Sequence, residues 1–265
     1  MRRLTGWYAH PRYYEAIFGG DSAKEMDFLL GVNRRFGTGG RRWLEPACGA
    51  GRLVLEGARR GLQLTGYDVS GPMLAYARAR LRRAGARAFL HPARMEEFCP
   101  PSLRGRFDLA FNLVSTFRYL DSEEAALSHL RSTRELLKPA GLYVLGFHVT
   151  EYERRRPEHE RWVGRAGRAT VVCNTHEWPP DRSLRRSRMR NRLRISGGGE
   201  DALVETEWYF RTYSPAEAIS LVRRAGFSLN ALFTFDYDLD APVDAATDRL
   251  DWVMVLGRAG ASATR

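Results

Sequence analysis

The sequence predicts an α/β fold: a doubly wound, mostly parallel seven-stranded sheet with a small antiparallel β insertion after its fifth strand. Three observations carry this. Short strand-like runs alternate with helical runs at both ends of the chain; only strand-like runs occur between about 149 and 213; and a glycine turn, WLEPACGAGRL (Trp43 to Leu53), joins the first strand to the first helix of the alternation. Alternating short strands and helices imply parallel pairing through right-handed crossovers.

Taken in order, strand-like runs fall at 42–47, 63–67 (QLTGY), 86–90 (ARAFL), 107–113 (FDLAFNL) and 141–147 (GLYVLGF). The helical runs RLVLEGARRG, PMLAYARARLRRAG and SEEAALSHLRSTRELLKPAG follow the first, second and fourth, the last with Asp121 as its expected cap and Glu124 three residues on. After a charged link, TEYERRRPEHER, come RATVVCNTHEW, LRRSRMRNRLRIS and ALVETEWYFRTY, separated by Pro-Pro-Asp and Gly-Gly-Gly turns. This predicts a meander. A hairpin closed at Gly197-Gly198-Gly199 sets Arg192 opposite Glu205, Arg190 opposite Glu207, Met189 opposite Trp208 and Leu193 opposite Val204, giving one charged face and one apolar face. Ser214-Pro215-Ala216-Glu217 then starts a helix, and FSLNALFTF and LDWVMVLGRA complete the sheet as an antiparallel pair. Three units result: 1–148, a lid and ligand-binding core; 149–213, an insertion serving as substrate cap or homodimer contact; and 214–265, which completes the sheet.

Composition narrows the function classes. The 265 residues are 44% hydrophobic and 28% charged with a mean hydropathy of -0.42, as for an ordinary soluble domain. No apolar run approaches the ~20 residues of a membrane helix, so no membrane partner and a cytoplasmic location are expected. Three scattered cysteines fit neither a disulfide framework nor a zinc site, and His10, His91, His129, His148, His159 and His176 lack ligand spacing, so no metal is expected. The net charge of +11 invites a nucleic-acid reading. Yet 40 of the 42 basic residues are arginine, and the hairpin register pairs several of them with glutamates, which leaves nucleic acid the minor alternative.

The glycine turn points to a ligand. Gly49 and Gly51 let the backbone approach a bound group and expose amides at a helix start. Val54 stands where a dinucleotide site needs a third glycine, and Asp68, 19 residues beyond Gly49, ends the second strand where a carboxylate can accept two ribose hydroxyls. A nucleoside without a pyrophosphate fits.

These residues resemble the class I S-adenosylmethionine-dependent methyltransferases: LEPACGAGR is similar to that family's first motif, GYDVSGPMLAYAR to its second, RFDLAFNL to its fourth and LLKPAGLYVLGF to the stretch around its fifth strand. The insertion and the N-terminal YAHPRYYEAIFGG resemble small-molecule N-methyltransferases, including amino-sugar dimethylating enzymes and relatives of glycine N-methyltransferase. The resemblance implies S-adenosylmethionine as cofactor, a small-molecule acceptor and S-adenosylhomocysteine as product. It implies that Glu45, Ala47, Gly49 and Gly51 hold the methionine part and Asp68 the ribose. Val69, Met73, Met95 and Glu96 would enclose the adenine, with Arg94 standing near the family's usual acidic contact, and Tyr14, Asn112 and Leu113 would complete the cofactor site. Asn112 is followed by Leu113-Val114-Ser115 rather than Pro-Pro and an aromatic, which speaks against methylation of nucleic-acid bases. RNA association, or cofactor binding without catalysis, is the alternative.

Chemistry is expected above the carboxyl ends of the strands. Ser115, Arg118 and Tyr119 follow the fourth strand and His148 ends the fifth. Tyr119 and His148 are the expected proton-handling or orienting groups. Tyr8, Ser115 and Arg118 are expected to meet the acceptor, with Tyr8 and Tyr14 on an N-terminal lid. The loop Asp236 to Asp251, with six aspartates, is expected at the same rim, where it would favour a cationic acceptor and so methylation at nitrogen.

Overall fold

The computed structural model describes residues 2–260. Its main sheet has the strand order β11-β12-β6-β5-β2-β3-β4, built from β2 (Arg42–Pro46), β3 (Gln63–Asp68), β4 (Phe89–Pro92), β5 (Phe107–Asn112), β6 (Leu137–His148), β11 (Phe227–Thr234) and β12 (Asp251–Arg258). All neighbours are parallel except β12, which runs antiparallel to both β6 and β11. This is the expected doubly wound, mostly parallel seven-stranded sheet.

Period-2 alternation along β6 explains why both faces carry helices. Tyr143, Leu145 and Phe147 join the core under α5 (Glu123–Leu136) and α6 (Pro215–Arg224). Leu142 and Val144 join the opposite core with α2 (Ser22–Phe36), α3 (Arg52–Arg59) and α4 (Gly71–Arg83). The strand order reverses between β2 and β5, and the crevice above that switch point is where such sheets bind ligands.

Three local expectations are corrected. Ser122, not Asp121, caps α5, accepting from the Ala125 N–H at 3.0 Å. The helix stops at Leu136, two residues before Lys138-Pro139, because a residue preceding proline is driven out of helical geometry; the strand then starts at Leu137 rather than 141. The third strand lies at 89–92 rather than 86–90.

A second sheet, ordered β1-β10-β9-β8-β7, stands over the carboxyl ends of the first. Its strands are β1 (Arg2–Thr5), β7 (Glu158–Ala166), β8 (Ala169–Glu177), β9 (Arg186–Gly197) and β10 (Glu200–Arg211). The hairpin register is as expected, with Arg192 opposite Glu205, Arg190 opposite Glu207, Met189 opposite Trp208 and Leu193 opposite Val204. Arg192 pairs with Glu205, whereas Glu207 takes the diagonal Arg188 at 2.7 Å and Arg190 lies over the Trp178 ring. Two strands escaped the sequence reading: β7, which begins in the supposed charged link and runs past it, and β1, which adds parallel to β10.

The apolar face of this cap is covered by the chain's own N-terminal segment. Trp7, Tyr14, Ile17 and Phe18 pack with Val171, Cys173, Leu193 and Val204. Helix α1 (Pro11–Phe18) lies so close to β7 that a side chain at Gly164 would collide with the Ala16 carbonyl, so only glycine fits there. Arg118 ties cap to core: its guanidinium donates to the Arg211 carbonyl (3.1 Å) and Ser187 Oγ (3.1 Å) and lies 3.6 Å from Glu177.

Buried His129 supports the wall beside Met95. Its Nδ1 lies 3.1 Å from the Met95 carbonyl and its Nε2 2.8 Å from the Tyr143 hydroxyl. Burial pushes its pKa down to about 4. Because the folded pKa lies below the unfolded one, near 6.5, stability is full above pH 6.5 and is lost as pH falls towards 4, by about 3 kcal/mol. Denaturant unfolding of His129→Asn should therefore show a smaller stability loss between pH 7 and pH 4.5 than the parent; an equal loss would show that His129 contributes nothing to it.

Candidate active site

The turn after β2 is built from left-handed residues: Ala47, Gly49 and Gly51 have φ of 49°, 52° and 70°. A side chain at Gly49 would meet nothing within 4 Å, so its missing Cβ faces open space, whereas one at Gly51 would press on Ala77. Gly49 thus opens room for a ligand and Gly51 seats the turn on α4. Asp68, at the end of β3, is held by this turn: Gly49 N–H donates to Oδ2 (2.8 Å) and Ser70 N–H to Oδ1 (2.7 Å). Burial raises its pKa, opposed by these two amides. Each oxygen keeps a lone pair for a ligand hydroxyl.

Above the turn lies a cavity of about 240 Å³ that brings together Tyr8, Tyr14, Ala47, Gly49, Asp68, Val69, Met73, Met95, Glu96 and Tyr119. Val69 offers an exposed apolar side chain, and Arg94 on the same wall pairs with Glu96 at 2.6 Å. Four expected cofactor residues are not on this wall. Gly51 packs against Ala77; Asn112 Nδ2 donates to the Pro46 carbonyl (2.9 Å), tying β5 to β2; and Leu113 is buried in the core under α2 and α3. Glu45 lies beneath the turn, 8% exposed, with Oε2 unpartnered, and burial pushes its pKa up to about 8 against the pull of Arg52. An orphaned buried carboxyl oxygen below a glycine cradle suits a ligand carrying a cation, and the paired oxygens of Asp68 suit a vicinal diol. The residues present fit S-adenosylmethionine.

A second cavity, about 370 Å³, lies between core and cap. It shares Tyr8, Tyr14, Thr116 and Tyr119 with the first. The hydroxyls of Tyr8 and Tyr119 are 2.8 Å apart on that shared wall. Burial raises both pKa values, so both phenols stay neutral and neither is a base. Tyr119 is held edge-on by Phe210 and stacks on Trp208.

Ser115 and His148 also line the second cavity. Ser115 Oγ accepts from the His148 backbone N–H (3.1 Å) and lies 3.0 Å from Nδ1. Val114 and Ser115 both have left-handed φ, 62° and 64°, a strained turn for a β-branched residue that aims the serine at the histidine. His148 is open to solvent on one side; the protein packed on its other side and the Arg118 guanidinium lower its pKa. Arg118 also lines the cavity, but it is 4% exposed and its donors serve the cap, so it anchors rather than probes.

The acidic loop is corrected. It ends at the expected rim, since Asp251 pairs with His148 at the carboxyl end of β6, but it lies over α2, with Leu239 against Gly31 and Tyr237 reaching Glu25. Asp236 and Asp251 pair with Arg249, and among the described residues only Leu250 of this loop lines the second cavity. The negative charge at the second cavity comes instead from Glu151, Glu158, Glu160 and Glu177, set against two guanidinium groups, Arg118 and Arg154. Burial, with Glu158 and Glu177 nearby, raises the Glu160 pKa. Sequence reading missed these glutamates and the neighbouring Trp162; for Glu158 and Glu160 the available signal was the alternation Glu158-x-Glu160-x-Trp162, a period of two that starts in the charged link and runs past its end.

Residues 44–141 match the family described as a methyltransferase domain. The ubiquinone biosynthesis O-methyltransferase of Ruegeria pomeroyi is 32% identical over 122 residues, 46% of this chain and 46% of that protein. The chain matches under half the length of the first such curated relatives. A solved S-adenosylmethionine-dependent methyltransferase from Clostridium acetobutylicum superposes with a TM-score of 0.77 at 14% identity, covering 93% of this chain and 96% of that one. The sugar N-methyltransferase KedS8 from Streptoalloteichus does so with a TM-score of 0.69 at 19% identity, covering 93% and 91%. At these identities the structural likeness shows the fold.

Proposed function

We propose that this protein, which carries a methyltransferase domain on the class I S-adenosylmethionine-dependent fold, methylates a small-molecule acceptor at an amine nitrogen. The observation that carries this reading is the second cavity: aromatic walls, four carboxylates against two guanidinium groups, and one wall shared with the nucleoside cavity. Aromatic faces and a net negative wall attract a cation.

When bound, S-adenosylmethionine supplies a methyl group activated by a sulfonium. The Gly49 turn, with Glu45 beneath it, would hold its methionine end, Asp68 its ribose and Met73 and Met95 its base. The remaining work is alignment and exclusion of water. Tyr14 and the Tyr8–Tyr119 pair close the wall between donor and acceptor, their neutral hydroxyls orienting the acceptor nitrogen without taking its proton. His148, neutral near pH 7, takes that proton at Nε2 when Nδ1–H donates to Ser115 Oγ. Loss of that proton leaves the acceptor nitrogen with the free lone pair that a nucleophile needs.

Matched amine and phenol acceptors, each incubated with S-adenosylmethionine, test the reading: methyl transfer to the amine and not the phenol is expected, and the reverse preference would overturn it. Glu158→Gln with Glu160→Gln should raise the amine's KM several-fold at low salt and less at high salt, since these carboxylates act through screened charge.

A further inference from the structure

On the cap sheet, one row of inward-facing residues is polar on four neighbouring strands, between a mixed row (Glu158, Glu177, Met189 and Trp208) and an apolar one. Glu160 stands opposite Thr175, Thr175 opposite Asn191, and Asn191 opposite Thr206, so four polar side chains cross β7, β8, β9 and β10 in register. The row on one side is Trp162, Cys173, Leu193 and Val204; on β9 itself Asn191 sits between buried Met189 and Leu193. Thr206 is occupied, its Oγ1 accepting from the Trp7 backbone N–H at 3.1 Å. The other three line the acceptor cavity. Asn191 is 1% exposed and its Oδ1 has no partner, while Thr175 Oγ1 has a weak 3.9 Å contact with Cys173 Sγ.

An amide kept in a strand centre among apolar neighbours, with its carbonyl unpaired, is destabilising by itself, and buried polar groups are otherwise nearly always satisfied. No group of the chain pairs with it, and it lines a cavity from which a bound molecule can reach it. We propose that Glu160, Thr175 and Asn191 are specificity-determining residues that read hydroxyl groups on the part of the acceptor remote from the methylated nitrogen, so that the substrate is a polyhydroxylated amine. A hydroxyl can donate to a carboxylate or amide oxygen and accept from a threonine hydroxyl or amide N–H, which is the mixture this row presents. A purely apolar amine would leave the row unpaired, and sites built for hydrogen bonds reject analogues that lack them. This inference rests on the second cavity being the acceptor site.

The test uses two probes, a polyhydroxylated cyclohexylamine and unsubstituted cyclohexylamine, with the parent protein, Asn191→Leu and Thr175→Val. In the parent the hydroxylated amine should bind at least tenfold more tightly, by calorimetry with S-adenosylhomocysteine present. Asn191→Leu should raise its Kd and KM about tenfold with kcat within twofold, leave cyclohexylamine unchanged, and keep or raise the Tm because an unpaired polar group is removed. A structural asparagine would instead lower the Tm and weaken both amines alike, which would overturn the proposal, as would equal binding of the two amines by the parent. Thr175→Val, nearly isosteric, should repeat the selective loss. If neither amine is methylated while calorimetry still shows a hydroxyl preference that Asn191→Leu removes, the reaction assignment fails and the recognition row stands.

Discussion

Replacing Asp68 with alanine is expected to weaken S-adenosylmethionine binding by about 10²- to 10³-fold. The carboxylate is held between the Gly49 and Ser70 amides at 2.8 and 2.7 Å, so its remaining lone pairs face the cavity in a fixed direction. Two charge-assisted hydrogen bonds to ribose hydroxyls, each about 1.5 to 2 kcal/mol, sum to about 3 to 4 kcal/mol. The same substitution frees the Gly49 and Ser70 amides and loosens the turn. Asp68→Asn separates the two effects, since it keeps an acceptor but loses the charge. Calorimetry would show the loss as a higher Kd with far-ultraviolet circular dichroism unchanged. An Asp68→Ala protein that binds S-adenosylmethionine as tightly as the parent would remove the nucleoside assignment.

His148→Asn is expected to lower kcat about 10²-fold while leaving S-adenosylmethionine affinity within twofold, because His148 lines the acceptor cavity and not the nucleoside cavity. The pH profile carries the sharper signal. With its pKa held below the usual 6.5, His148 is a base above that lowered value, so kcat of the parent should fall on the acid side as the imidazole takes up a proton. The acid limb should be missing in His148→Asn. Ser115→Ala should keep the limb and shift it, since the serine sets the ring's tautomer rather than accepting the proton. A His148→Asn enzyme with the parent's kcat and the parent's acid limb would exclude histidine as the proton acceptor.

The glycine turn, Asp68, the alternation of strands and helices and the hairpin register were all legible in the sequence because each follows from short-range rules: positive φ at glycine, a carboxylate at a strand end, a period of two or 3.6 residues. Those rules do not say which way Asn112 and Leu113 turn, and neither lines the first cavity. Asn112 ends β5 and Leu113 follows it, as rim residues should, but Asn112 turns to the Pro46 carbonyl and Leu113 into the core. Which way a residue at a strand end points depends on what the neighbouring strand offers. β7 was hidden because its run of glutamate, histidine and arginine reads as a solvated link; only pairing with β8 makes it a strand, and only the cap's position turns Glu158 and Glu160 towards a cavity.

The sequence by itself determined the class of fold, the glycine turn with Asp68 that borders the first cavity, and the register of the cap hairpin, since these depend on neighbours a few residues apart or on one turn. Tertiary structure alone decided the acceptor side. Tyr8 and Tyr119 meet across 111 residues, Glu160, Thr175 and Asn191 align on three strands, and the acidic loop is drawn away over α2. Such contacts depend on how the cap, the N-terminal segment and the core pack together. No local pattern encodes that, because the side chains that meet there are specified on separate elements and are brought together only by burial of the apolar faces between them.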